Sequence, residues 1–244
     1  MDPWECYERA VQSAADSLRL VLNEHGATPL SLAEHFAGSA ALSRAFVASR
    51  DDRRALALDL DGGALERARG VERLETLTCD VREALHAPVD IVHAGNFSLG
   101  YLHTRRELVD YLRRVRASLA PGGLFACDTY GGASAFSLGS SQRRVELDGE
   151  RELTSLWERR AADPFTARVE NVLSFRVTAR GELLAHWPDA FVYRWRLWSV
   201  PELCDALVEG GFAPPRIRTS TSSERGQDPP PGEDWAVMLC ATPA

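Results

Sequence analysis

Residues 30–42 read LSLAEHFAGSAAL and residues 54–61 read RALALDLD. The first stretch is an apolar run closing on an acid, Glu34, then a turn with a single glycine, Gly38, then a helical stretch. The second is another apolar run, closing on Asp59. This is the opening β-α-β of a doubly wound sheet, whose ligand lies at the carboxyl ends of the strands. A pyrophosphate-bearing dinucleotide needs several glycines so that the backbone can approach it. Here the turn is Glu34-His35-Phe36-Ala37-Gly38-Ser39-Ala40, with a bulky Phe36 and one glycine. An unphosphorylated nucleoside needs less room. A carboxylate at the position of Asp59 accepts hydrogen bonds from ribose hydroxyls.

Outward from this unit the strand and helix signals alternate. Helical spacing over Pro3–Glu24 predicts an N-terminal helix ended by His25-Gly26. Strands are expected over Leu30–Glu34, Ala55–Asp59, Leu74–Cys79, Val89–Ala94 and Leu124–Asp128. Helical segments are expected over Ala40–Ala48, Ala64–Arg69 and Thr104–Leu119, the last amphipathic and stopped by Pro121-Gly122-Gly123. Such alternation predicts a parallel sheet. Beyond residue 132 the rhythm changes. Short runs over Arg143–Leu147, Leu153–Arg160, Val169–Ala179, Glu182–Trp187 and Ala190–Trp198, with turns at Asp148-Gly149 and Arg180-Gly181, predict an antiparallel insertion. Ser199 N-caps a further helix that ends at Gly210-Gly211. Strands near Arg216–Ser220 and Trp235–Ala241 follow, joined by a Pro-rich link over Glu224–Asp234. The expected organisation is an N-terminal helix (1–27), a core (28–132), an antiparallel insertion (133–198) and the return to the core (199–244).

Composition narrows the function classes. With 244 residues and 45% hydrophobic content, one α/β domain with an insertion has enough apolar mass for a core. No apolar run approaches the roughly 20 residues of a membrane span, and the acidic start MDPWECYERA is not a secretory signal. The five cysteines are scattered, with no C-x-x-C pair, so neither a disulfide framework nor a zinc site is expected, and the expected compartment is the cytoplasm. A net charge of −7 argues against a nucleic-acid surface. All 28 basic residues are arginine. Without lysine there is no Schiff-base chemistry and no pyridoxal anchor.

The segment resembles the first motif of the class I S-adenosylmethionine (SAM) dependent methyltransferases, an acid followed by a glycine-rich turn. Glu34 stands at the acid and Gly38 at the middle glycine, while Phe36 and Ala40 stand where the family has glycines. The phrase LAPGG before the fifth strand is also typical of the family. The resemblance covers about residues 28–130 and 199–241. It implies a seven-stranded, mostly parallel α/β sheet whose last strand runs antiparallel, SAM as cofactor, and methyl transfer to N or O of a small-molecule acceptor. A homodimer stays open. A non-catalytic SAM-binding protein, motivated by Phe36, is the alternative, and a nicotinamide-dependent oxidoreductase is disfavoured by the missing glycines.

The same resemblance implies site roles. Glu34 serves the methionyl ammonium, Phe36 and Gly38 line the turn, and Asp59, followed by Leu60, holds the ribose. Asp80 takes the adenine amino group and Val81 covers the ring. In the loop after the fourth strand, Asn96 orients the methionyl portion or the acceptor, and Phe97 is a further cofactor contact. His103 is the first candidate base, Tyr130 the second and Asp128 the third. A base is needed only when the acceptor arrives protonated. Tyr101, His103, Tyr130, Trp157, Tyr193 and Trp195 are the expected acceptor contacts, the last three as an aromatic lid. Trp4 and Tyr7 are expected to close over the cofactor.

Overall fold

The structure, a computed structural model, describes residues 1–11, 13–84, 86–219 and 234–244. The predicted link over 224–234 therefore lies outside the described residues except for Asp234, and Ser220 does too. Contacts divide the chain into two compact units. One comprises residues 1–13 and 133–197, the other 14–132 and 198–244.

The second unit holds a seven-stranded sheet. Its strands are β1 (Ser31–His35), β2 (Arg54–Asp59), β3 (Leu74–Thr78), β4 (Val89–Ala94), β5 (Leu119–Gly132), β10 (Arg216–Thr219) and β11 (Asp234–Ala241). Their spatial order is β10-β11-β5-β4-β1-β2-β3. The β1–β2, β1–β4, β2–β3 and β4–β5 pairs are parallel, and β11 is antiparallel to both neighbours. This is the expected doubly wound sheet with a reversed final strand. Strand order reverses at β1 and β4, where such sheets open their ligand crevice.

Both faces are covered. Leu32, Ala57, Ile91, Leu124 and Ala126 pack with Leu42, Phe46 and Val47 of helix α3 (Ala41–Ala48) and Val21 of helix α2 (Ala14–His25). Ala33, Leu58, Val92, Phe125 and Leu239 pack with Leu108, Leu112 and Val115 of helix α4 (Arg105–Ala117) and Leu203 and Leu207 of helix α5 (Val200–Glu209). Near-continuous apolar strands are what burial on two faces requires. Helices α4 and α5 each begin with a complete capping box, Thr104 with Glu107 and Ser199 with Glu202. Glu24, near the end of α2, accepts hydrogen bonds from Arg216 at 2.9 Å and Arg218 at 2.6 Å, which ties α2 to the edge strand β10.

The first unit is a four-stranded antiparallel sheet, β6 (Gly139–Asp148), β7 (Arg151–Asp163), β8 (Arg168–Ala179) and β9 (Glu182–Arg196), in sequential order. The two runs expected over Glu182–Trp187 and Ala190–Trp198 are one bulged strand. The β8–β9 turn has φ of 50° at Arg180 and 86° at Gly181, a hairpin conformation that needs φ > 0 at both central residues.

The N-terminal helix expected over Pro3–Glu24 is two helices, α1 (Pro3–Ala10) and α2. Apolar spacing continues across the break, but the halves bury their faces in different units. Cys6, Tyr7 and Ala10 join the core of the antiparallel sheet, while Val21 joins that of the parallel one. Trp4 and Tyr7 meet Phe191 edge-on at 4.7 and 5.3 Å. Tyr7 belongs to the core of the insertion unit and Trp4 packs against it.

Candidate functional site

The turn after β1 decides what can bind. Phe36, Gly38 and Ala40 have φ of 54°, 53° and 55°. Every second residue is left-handed, although only one is glycine. A non-glycine residue in this conformation costs about 1–2 kcal/mol, so two such residues mark a turn held by its surroundings. Ala40 is buried. The Phe36 ring packs near Tyr101 (6.2 Å, near-parallel) and Tyr111 (5.9 Å). Phe36→Gly should therefore be more stable than Phe36→Ala by about 1 kcal/mol in thermal melts, the reverse of the usual order. An alanine variant as stable as the glycine one would refute the strained turn.

Asp59 ends β2 and faces this turn. Its Oδ2 accepts from the Gly38 N–H at 2.7 Å and its Oδ1 from the Asp61 N–H at 2.9 Å. Burial raises its pKa, opposed by these backbone donors. Leu60 is 72% exposed. Glu34 is 3% exposed and its Oε2 accepts from the Ser43 N–H at 2.7 Å. Burial pushes its carboxyl up to about 7. Asp80, two residues past β3, is gripped by the Arg82 guanidinium at 2.6 Å, which holds its pKa below the ordinary value. Its neighbour Val81 is buried among core residues.

The loop after β4 is anchored from the neighbouring strand β5. Asp128 on β5 accepts from the N–H of Asn96 at 2.9 Å and of Phe97 at 2.6 Å. Both donors are left-handed, φ 57° and 61°. Each carboxylate oxygen thus holds one backbone N–H of the loop. Burial pushes its carboxyl up to about 6. Phe97 meets Tyr130 with ring centroids 4.7 Å apart. Tyr101 ends the following 3₁₀ turn (Ser98–Tyr101), 43% exposed, and His103 is half-buried two residues later. Trp198 holds this turn from below, its Nε1 donating to the carbonyls of Leu99 and Leu102 at 3.2 and 3.0 Å. Alternation placed Trp198 on the last insertion strand. It lies instead two residues past β9, in the parallel-sheet unit.

Two further groups were not visible in the sequence. His93, on β4, is buried with neither ring nitrogen partnered. His35 begins a hydrogen-bonded chain, Nδ1 to the Tyr111 hydroxyl at 2.9 Å and Nε2 to His86 Nε2 at 3.2 Å, with His86 Nδ1 on the Ala87 carbonyl at 2.8 Å. The carbonyl can only accept, so His86 Nδ1 carries the proton, His86 Nε2 accepts from His35, and His35 Nδ1 accepts from Tyr111. Burial drives the His35 pKa down to about 3, which keeps that ring neutral.

The structure thus gathers Glu34, Phe36, Gly38, Asp59, Asp80, Asn96, Phe97 and Tyr130 around the carboxyl ends of one parallel sheet. Trp157, Tyr193 and Trp195 belong to the insertion unit, where Tyr193 stacks on Trp195 at 4.5 Å and on Trp157 at 5.6 Å.

No protein-family model matches the chain, and none of the curated proteins matches its sequence. Solved structures do match its fold. An S-adenosylmethionine-dependent methyltransferase from Clostridium acetobutylicum superposes with a TM-score of 0.72 at 14% identity, covering 98% of this chain and 96% of that one. Streptomyces venezuelae DesVI gives 0.71 at 22%, covering 95% and 90%. CalS10, an amino pentose methyltransferase from Micromonospora, gives 0.69 at 17%, covering 96% and 93%. The chain has the SAM-dependent methyltransferase fold. The coverage includes the antiparallel insertion, so the likeness extends over both units. The residues at the strand ends also suit an adenosyl ligand. Carboxylates stand at the ends of β1 and β2 and just past β3, the turn after β1 has one glycine, and a buried imidazole lacks a partner.

Proposed function

We propose that the chain is a SAM-dependent methyltransferase acting on an amino nitrogen of a small, sugar-like acceptor. The observation that carries the cofactor assignment is the alternating left-handed turn at residues 36, 38 and 40, pinned by Asp59 through the Gly38 N–H. The acceptor class rests on the matched structures, among them the sugar N-methyltransferase KedS8, at 17% identity and a TM-score of 0.66, and the amino pentose methyltransferase CalS10.

When bound, SAM supplies a methyl group on a sulfonium, ready for in-line displacement. The protein's task is then placement. Asp59 accepts from the ribose hydroxyls with the lone pairs that Gly38 and Asp61 leave open. Asp80 takes the adenine amino group in exchange for part of its Arg82 pairing. Asp128 fixes the 96–97 backbone under the reacting groups, and alignment of this kind supplies much of the acceleration. His103 or Tyr130 receives the proton of an ammonium acceptor. Tyr101, exposed at the end of the 3₁₀ turn, meets the acceptor.

The test has two arms. Calorimetric titration should give saturable binding of SAM, and incubation with SAM and a panel of amino sugars should add one methylene of mass to at least one of them. Absence of SAM binding at high micromolar concentration would end the proposal. Binding with no transfer to amines, but transfer to hydroxyl acceptors, would move the reaction from N to O. Binding with no transfer to any acceptor would favour the non-catalytic reading.

A further inference from the structure

We propose that His93 binds the amino-acid end of the adenosyl ligand, beside Glu34 on the same face of the sheet. This rests on the SAM reading above and assigns a residue to it.

His93 is 4% exposed, and both its ring nitrogens lack a hydrogen-bond partner. Its strand is otherwise apolar around it, with Ile91, Val92 and Ala94 fully buried. A leucine or valine there would pack without leaving polar atoms unsatisfied, so an imidazole is a costly choice for packing alone. Parallel register pairs His93 with Glu34 on β1, so the two side chains are neighbours on one face of the sheet. Ser39, in the turn between Glu34 and α3, is buried and its Oγ is also without a partner. The ring reaches toward the strand end. A Cβ on Gly95 would come within 2.3 Å of His93 Cε1, so the loop backbone lies directly on the imidazole.

The chemistry suits a zwitterion. Burial holds the His93 pKa down to about 4, so the ring is neutral, with one donor and one acceptor nitrogen. A carboxylate and an imidazole acceptor suit an ammonium, while the imidazole N–H and the Ser39 hydroxyl suit a carboxylate. The sheet order supplies direction. Asp59 on β2 takes the ribose and Asp80, past β3, the adenine, so the ligand's other end runs toward β1 and β4, where His93 stands.

The experiment compares two ligands on two proteins. S-adenosylhomocysteine carries the amino-acid end and 5′-methylthioadenosine lacks it. His93→Leu should weaken S-adenosylhomocysteine by about tenfold and leave methylthioadenosine unchanged in calorimetry, while its melting temperature rises because two unpaired nitrogens are gone. His93→Gln, which keeps a donor and an acceptor, should retain most of the affinity. His93→Val takes the place of the leucine variant if that one fails to fold. Unchanged S-adenosylhomocysteine affinity, or equal losses for both ligands, overturns the assignment while the SAM reading stands. If the wild-type protein binds neither ligand, both fall together.

Discussion

Asp59→Ala should lower the affinity for S-adenosylhomocysteine about a hundredfold, roughly 3 kcal/mol. The carboxylate already works for the fold before any ligand arrives. It takes the Gly38 N–H at 2.7 Å, which fixes the middle of the left-handed turn, and the Asp61 N–H at 2.9 Å, which fixes the start of the next loop. Truncation therefore removes the ribose acceptor and frees the two loops that frame it. The loss should be equally large for methylthioadenosine, which keeps the ribose, in contrast with the change at His93. Asp59→Asn retains one carbonyl oxygen, enough for one of the two N–H groups, and should fall between, near tenfold. Melting should drop as well, by about 4–8 °C, because two backbone donors lose a charged partner. Calorimetry on both variants checks the order. Affinity within about threefold of wild type for the alanine variant would remove Asp59 from the ligand site.

The parts of this fold that were legible in the sequence are those written in short-range patterns. The β1-turn-α3-β2 unit, the N-cap at Ser199 and the Arg180-Gly181 turn are each encoded within a few residues, and the structure forms all three. Phe36 marks where local reading stops. A phenylalanine in a glycine position puts the loop path in question, and the turn keeps its left-handed course through contacts far along the chain, the packing of the ring near Tyr101 and Tyr111 and the Asp59 carboxylate on the Gly38 N–H. What the sequence hid depends on partners far along the chain. The His35 chain joins residues 51 and 76 positions away, and Asp128 reaches back 31 and 32 positions to the 96–97 turn. Periodicity reports which face of an element is buried, not what it is buried against. For the same reason the helical repeat ran on across residues 11–13, where the chain passes from one unit to the other.

That long-range anchor carries the last large effect. Asp128→Ala should destabilise the protein by about 3 kcal/mol and abolish detectable methyl transfer. The variant leaves the N–H groups of Asn96 and Phe97 without their acceptor, and both residues sit in a left-handed conformation that costs about 1–2 kcal/mol each once nothing enforces it. The loop would relax, and with it the backbone that the proposal places under the reacting groups. Asp128→Asn separates geometry from charge, since its carbonyl can hold one of the two donors. It should lose less stability than the alanine variant and keep measurable activity. The pH dependence follows from the raised pKa. The folded value, about 6, lies above the unfolded 3.8, so the group's contribution to stability is fully present below pH 3.8 and is lost as pH rises through 6. The asparagine variant lacks this titration. Chemical denaturation from pH 4 to pH 8 should therefore show wild type losing stability relative to Asp128→Asn across pH 4–7. A constant difference across that range would mean that Asp128 is ionised throughout and that burial does not govern it.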